Sequence, residues 1–415
     1  MPTVPTLRIS SNETIKGGFN WRTGLRRFKE SLGQCERAIS GAGYGGVDVV
    51  VLGDSIPRGH GLAQSAYESL SHELKIKLQK EYNPIGIVGG YGLVRADYDP
   101  GFTQDSTPFT VSSGTAMIGD ARGSNSAMRM RFWFNGAATD AAIRRLGVSA
   151  LEPLYVKAAS TGTLQWDIHQ SDAFVTPGTG ATAKNTISTV AGSQTWGAHH
   201  GSIPVDSTSG VAPTLNSSQN YCLQFSPSSG QIYVHGVVAY NGDIDCGIRL
   251  HQICVNGGTL TASYSGDSNA RQAIAMFGAN GFGASKMKLL ICDFIVNEAT
   301  NDPTLANLAT FMSNLQSAVS TITILSSSPC WLHVIPPCPQ GVSTTVYGAY
   351  AKAIYEVASA NPNTMAVFDT MSMLDNVAYT TWNTRLNWMQ NDAVHPNGTG
   401  AAALANILFE ALKAA

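Results

Sequence analysis

The chain has 415 residues, a formal net charge of −2 and 43% hydrophobic residues, which suits a large α/β domain or one that carries a second as an insertion. Only 13% of its residues are charged, roughly half the usual share in soluble proteins, and the near-neutral balance with no basic run excludes nucleic acid as the main partner. No stretch of about 18 apolar residues is present, so no membrane span is expected, and residues 1–20 lack the apolar core of a secretion signal, which leaves the compartment open.

Residues 1–46 are set apart as an N-terminal extension. VDVVVLG (47–53) is a continuous apolar run, the mark of a parallel strand buried on both faces. Tyr67, Leu70, Leu74 and Leu78 then recur at helical spacing, predicting a helix over 62–82 that Asn83-Pro84 ends. From 99 to 245 the texture changes to short alternating segments such as MRMRFWF (128–134), PLYVKAA (153–159) and QIYVHGVVAY (231–240). Gly, Ser, Thr and Asn clusters separate them, so a β-sandwich-like insertion is expected. Strand and helix alternate again from 246, with strands at 248–255, 288–296, 331–335 and 365–369. Helices follow Leu305, Leu308, Met312, Leu315 and Val319, then Tyr347, Tyr350, Ile354 and Val357, and finally Leu404, Ile407, Leu408 and Ala411. The fold class is therefore α/β: a three-layer, flavodoxin-like domain with a parallel sheet, built from 47–98 and 246–415 and interrupted by the β-rich segment 99–245.

Two segments carry chemistry. GDSIPRG (53–59) stands where the first strand meets its helix, the edge of an open α/β sheet at which ligands bind, so Ser55 is exposed with a helix N-terminus behind it. The bland alternative is that Asp54 or Ser55 only caps the helix. DAVHPNGTG (392–400) precedes the last helix. A serine hydroxyl needs a base, and the base needs a carboxylate on its other nitrogen, which His395 and Asp392 supply at a spacing of three residues. Asp54 is assigned to ordering the nucleophile loop, and His60 receives no role.

With these segments the chain resembles the SGNH (GDSL-type) serine hydrolases. Gly53, Asp54 and Ser55 match the first block of that family, and Asp392, His395 and Pro396 match the last. QICVNGGTLT (252–261) resembles the strand and glycine loop of the second block, which puts Gly257 at the oxyanion position. FIVNEAT (294–300) resembles the third, which aligns Asn297 with the family Asn. The third block departs from the pattern: Ile295 stands where the family has Gly, Glu298 where Asp is commoner, and Asn301 is a second candidate four residues on. The resemblance implies Ser55 as nucleophile, His395 as base oriented by Asp392, and an oxyanion hole from Ser55, Gly257 and Asn297. It implies no metal or organic cofactor. The join at 234–258 resembles members with a β-sandwich inserted before the second block, esterases of acetylated glycans.

The resemblance thus implies a short-chain O-acylesterase whose partner is an acetylated carbohydrate. A lipase or thioesterase for longer acyl chains, and a non-catalytic glycan-binding virion tail protein, stand as alternatives. None of the seven cysteines forms a CxxC pair, so no zinc site is expected. Cys254 and Cys292 read as buried thiols, and a Cys330–Cys338 pairing is left open. His199-His200 reads as a surface pair, and Trp166 and Trp196 as core of the insertion rather than a sugar platform.

Overall fold

The computed structural model describes residues 18–39, 46–62, 68–83, 92–95, 247–262, 287–325, 327–373, 388–392 and 394–414, with the strands and short stretches lying between 102 and 240. In chain order the body begins with β1 (Gly18–Phe19), α1 (Trp21–Gly24), α2 (Arg26–Ile39), β2 (Val47–Leu52), the single turn α3 (Ser55–Arg58) and α4 (Leu70–Tyr82). Then come β3 (Gly92–Arg95), β4 (Phe102–Gln104), β5 (Thr110–Val111), β6 (Ala121–Gly123), β7 (Met130–Phe134) and β8 (Ala150–Lys157). They are followed by β9 (Thr163–Gln170), β10 (Ala183–Ser188), β11 (Thr195–Ala198), β12 (Tyr221–Ser229) and β13 (Ile232–Tyr240). The body resumes with β14 (Ile248–Gln252), β15 (Met287–Cys292), α5 (Val296–Asn301), α6 (Leu308–Thr323) and β16 (Cys330–Ile335). It closes with α7 (Thr344–Ala360), β17 (Met365–Asp369), α8 (Thr370–Met373) and α9 (Gly398–Ala414).

The central sheet runs β1-β17-β16-β15-β2-β14. Its five long strands are parallel and only the edge strand β1 is antiparallel, to β17. β2 shows why: Val47, Val49 and Val51 enter one core with α1, α2, α4 and α9, while Val50 and Leu52 enter the other with α5, α6 and α7. Three layers, helix on sheet on helix, follow from that two-sided burial. Asp48, the one charge in the run, is buried against Arg249 Nε at 2.6 Å and His251 Nε2 at 2.9 Å, both from β14.

Between the halves of the body lie two antiparallel sheets, β10-β9-β12-β7-β4 and β11-β8-β13-β6-β5, with β3 added to the second through β13. Leu93, Leu154 and Val238 from the second sheet join the same core as Val50 and Leu52, so the added sheet is seated on the body rather than tethered to it. Trp166 is fully buried, as core packing requires and sugar stacking forbids. The side chain of Trp196 and the pair His199-His200 lie outside the described residues.

The N-terminal reading needs correction. Residues 18–39 belong to the body: β1 pairs with β17, and Trp21, Leu25, Phe28, Leu32 and Cys35 are buried beneath the sheet. Their spacing of four, three, four and three is a helical stripe. Likewise β3, placed in the hydrolase portion 47–98, hydrogen-bonds into the antiparallel sheet. Cys330 and Cys338 are both free thiols. Because Phe28 has no exposed surface, Phe28→Ala is expected to cost about 3–5 kcal/mol in chemical denaturation. A loss below about 1 kcal/mol, within the range of surface substitutions, would make the N-terminal helices peripheral.

Candidate active site

At the carboxyl end of β2 the chain turns sharply through Gly53, Asp54 and Ser55. Glycine is required at 53, because a Cβ there would collide with the Asp293 carboxylate, whose Oδ1 accepts the Asp54 amide at 3.1 Å. Asp54 caps α3 by accepting the Ile56 amide at 2.8 Å, and Ser55 opens that turn. α3 is a single turn, and of the helix expected over 62–82 the structure describes Leu70–Tyr82 as α4, residues 63–67 lying outside the described residues. Ser71 Oγ (2.7 Å) and Gln252 Nε2 (2.9 Å) both donate to Pro57 O and fix the turn to its surroundings.

The second segment is folded by its own backbone. Met389 and Pro396 form a bridge, Gln390 N donates to His395 O at 2.8 Å, and Asn397 N to Trp388 O at 2.8 Å. Inside this small loop Asp392 Oδ1 accepts the amides of Val394 and His395, each at 3.0 Å, which turns Oδ2 toward the imidazole. His395 Nδ1 donates to Asp392 Oδ2 at 2.5 Å, leaving Nε2 to accept the Ser55 hydroxyl at 2.7 Å. Three side chains named from sequence therefore form one continuous chain of hydrogen bonds. Ser55 is 8% exposed, within reach of solvent but shielded. Burial raises the Asp392 carboxyl, but the amides of His395 and Val394 and the imidazole outweigh it, holding it below the ordinary carboxylate range.

The glycine loop runs beside this pair, because Val255 N donates to Gly53 O at 2.9 Å. Gly257 takes φ +70 with open space where a side chain would stand. Among the described residues no hydrogen bond engages the amide of Ser55 or Gly257. Asn297, at the start of α5, reaches the same place, yet its amide nitrogen is committed to Asp54 Oδ2 at 3.1 Å and Gly258 O at 3.0 Å. Asn301 is exposed at the far end of α5 and is not brought to the site.

Sequence reasoning missed two features. One is His60, whose ring lies 4.9 Å from that of His395. The other is a wall of buried acids behind the loops. Asp54 is raised to about 7 by burial, against the pull of the Ile56 amide, and Asp293 is raised well above its usual value by burial and then by the Asp54 charge. Glu298, whose Oε1 accepts the Leu260 amide at 2.5 Å, is raised by burial to about 7. Oδ2 of Asp293 and Oε2 of Glu298 are buried with no hydrogen-bond partner among the described residues. Among the described residues no cluster of His, Cys, Asp and Glu is arranged to hold a metal ion, and no helix is long and apolar enough to cross a membrane.

The α/β body with its three converging loops is the SGNH-type fold. A peptidoglycan O-acetylesterase structure superposes with a TM-score of 0.64 at 15% identity, over 92% of this chain and 95% of that one, so the match extends through the antiparallel sheets. A family two carbohydrate esterase from Cellvibrio japonicus aligns at 11% identity over 78% of this chain and 98% of that one, with a TM-score of only 0.30. No protein-family model and no curated protein matches the sequence.

Glu298 gives a signed pH prediction. A carboxyl whose folded value lies above its unfolded one is held neutral in the fold, so its contribution is intact below about pH 4 and is lost as pH rises toward 7. Glu298→Gln keeps an acceptor for Leu260 without the charge. Its stability relative to the wild type should rise between pH 4 and 8, by on the order of 3 kcal/mol for a group moved from 4.5 to about 7. A pH-independent difference in paired denaturation curves would show that Glu298 is not held neutral.

Proposed function

We propose that the protein is a serine O-acetylesterase that removes acetyl groups from a glycan. The observation that carries this is the Asp392–His395–Ser55 chain, with links of 2.5 and 2.7 Å, at the mouth of a sheet whose fold a peptidoglycan O-acetylesterase shares. Ser55 Oγ attacks the ester carbonyl as its proton passes to His395 Nε2, and Asp392 stabilises the imidazolium. The oxyanion is received by the amides of Ser55 and Gly257, preorganised donors of a kind typically worth about 3 kcal/mol each. Asn297 joins them only by giving up Asp54 or Gly258 O, since both its amide hydrogens are in use. His395 then protonates the leaving alcohol, and water, activated by the same imidazole, releases acetate from Ser55. No metal or organic cofactor enters these steps.

In the same reading the body, from β1 to α4 and from β14 to α9, carries the chemistry, and β3 belongs with the β-rich segment. The β-rich segment 99–245 forms a sandwich that presents the acetylated carbohydrate, and the low content of charged residues (13%) suits a neutral glycan. No specific observation favours the long-chain lipase, or the non-catalytic virion-tail alternative.

Hydrolysis of a chromogenic acetate ester should fall by roughly 10³-fold or more in folded Ser55→Ala. Wild-type rates in that variant would remove Ser55 as nucleophile, and a preference for acyl chains of about eight carbons or more, long enough to need a large apolar pocket, would replace the deacetylase with a lipase.

A further inference from the structure

His60 is exposed and lies in a Gly-His-Gly turn, where loop histidines are ordinarily solvated. Its surroundings say otherwise. Gly59 and Gly61 both take left-handed backbone, at φ +81 and +76, a conformation that side chains rarely adopt. A Cβ on Gly59 would also press on Ser69, and one on Gly61 would push aside the Gln390 amide. Two glycines thus fold the chain back on itself at the one histidine between them.

Four ties then hold that histidine, and they reach all three loops of the site. Its amide donates to Ser55 O at 3.0 Å, in the nucleophile turn. Its carbonyl accepts from Gln390 Nε2 at 2.8 Å, and the same nitrogen donates to Pro396 O at 2.8 Å in the histidine loop. Asn256 Nδ2 donates to its Nδ1 at 3.1 Å, beside Gly257 in the glycine loop. Finally its ring packs against that of His395, with centroids 4.9 Å apart and planes tilted by 55°. His395 is otherwise oriented by Asp392, on the edge of the imidazole, and that carboxylate is itself 41% exposed. The Ser55 bond at its other edge is given up when the proton moves, so a neighbour packed on the ring limits its swing about the Asp392 bond that remains.

We propose that His60 is a positioning residue for His395, the wall against which the catalytic imidazole is held while it faces Ser55. The proposal rests on the reading of His395 as general base. Exposure of His60 means that its replacement leaves the core untouched, so activity and folding can be separated.

The test is a set of variants, His60→Ala and His60→Phe, compared with the wild type by thermal denaturation, by acetate-ester kinetics and by the low-field NMR signal of the proton between His395 Nδ1 and Asp392. In His60→Ala the expected result is an unchanged melting point, a broadened or lost Nδ1 signal, and kcat lowered by about tenfold to a hundredfold with KM near its wild-type value. His60→Phe, which restores a ring without the Asn256 bond, should recover the signal and most of kcat. A sharp, unshifted signal and wild-type kcat in His60→Ala would overturn the proposal, as would a Phe variant no better than Ala. The resonance reports on His395 in the resting protein, so it decides the positioning of the ring even if Ser55→Ala shows that the esterase reading fails.

Discussion

Ser55 and His395 stand 340 positions apart, and their side chains meet at 2.7 Å. A separation of that size has to be closed by something stiffer than the loops themselves. Here it is closed by the parallel sheet: β2 delivers Ser55 at its carboxyl end, and the helix that follows His395, α9, packs beside β2 and against α4 in one shared core. Close-packed interiors transmit small shifts, so the hydrogen bond at the surface depends on the apolar layers beneath it. The N-terminal helices lie in that same layer, which makes them part of what holds the site although they contribute no side chain to it.

Much of this was legible in the sequence because it rests on patterns with short range. The run at 47–52 announces burial on both faces, and β2 shows it. The segments 53–59 and 392–400 were recognisable as strand-to-helix loops with chemically unusual composition, and the structure brings Ser55, Asp392 and His395 together. What escaped depends on contacts between distant residues. Asp293 reads as a residue within the strand predicted over 288–296, and only in the fold does it stand past the end of β15 and occupy the space a Gly53 side chain would need. The amide of Asn297 reads as a donor to an oxyanion, but in the fold it spans Asp54 and Gly258. His60 is unremarkable in sequence because the φ angles of its flanking glycines carry no letter of their own.

The wall of acids behind the loops shows stability and site geometry pulling against each other. Asp54, Asp293 and Glu298 are all buried, and neutral apolar side chains would cost the fold less. Each nevertheless holds a backbone amide of the loops that matter: Asp54 that of Ile56, Asp293 that of Asp54, and Glu298 that of Leu260. Loops that carry reacting groups have few regular hydrogen bonds of their own, and buried carboxyls supply them. Glu298 does so from α5, its long side chain reaching across to the glycine loop.

The central claim is that Ser55 is made nucleophilic by His395. The most direct measurement is covalent labelling with an organophosphonate fluoride, followed by peptide mass mapping, in the wild type and in His395→Ala. The account predicts a single adduct on Ser55 in the wild type, and labelling slowed by orders of magnitude in the variant. An adduct on another residue, or equal labelling of Ser55 without His395, would contradict it.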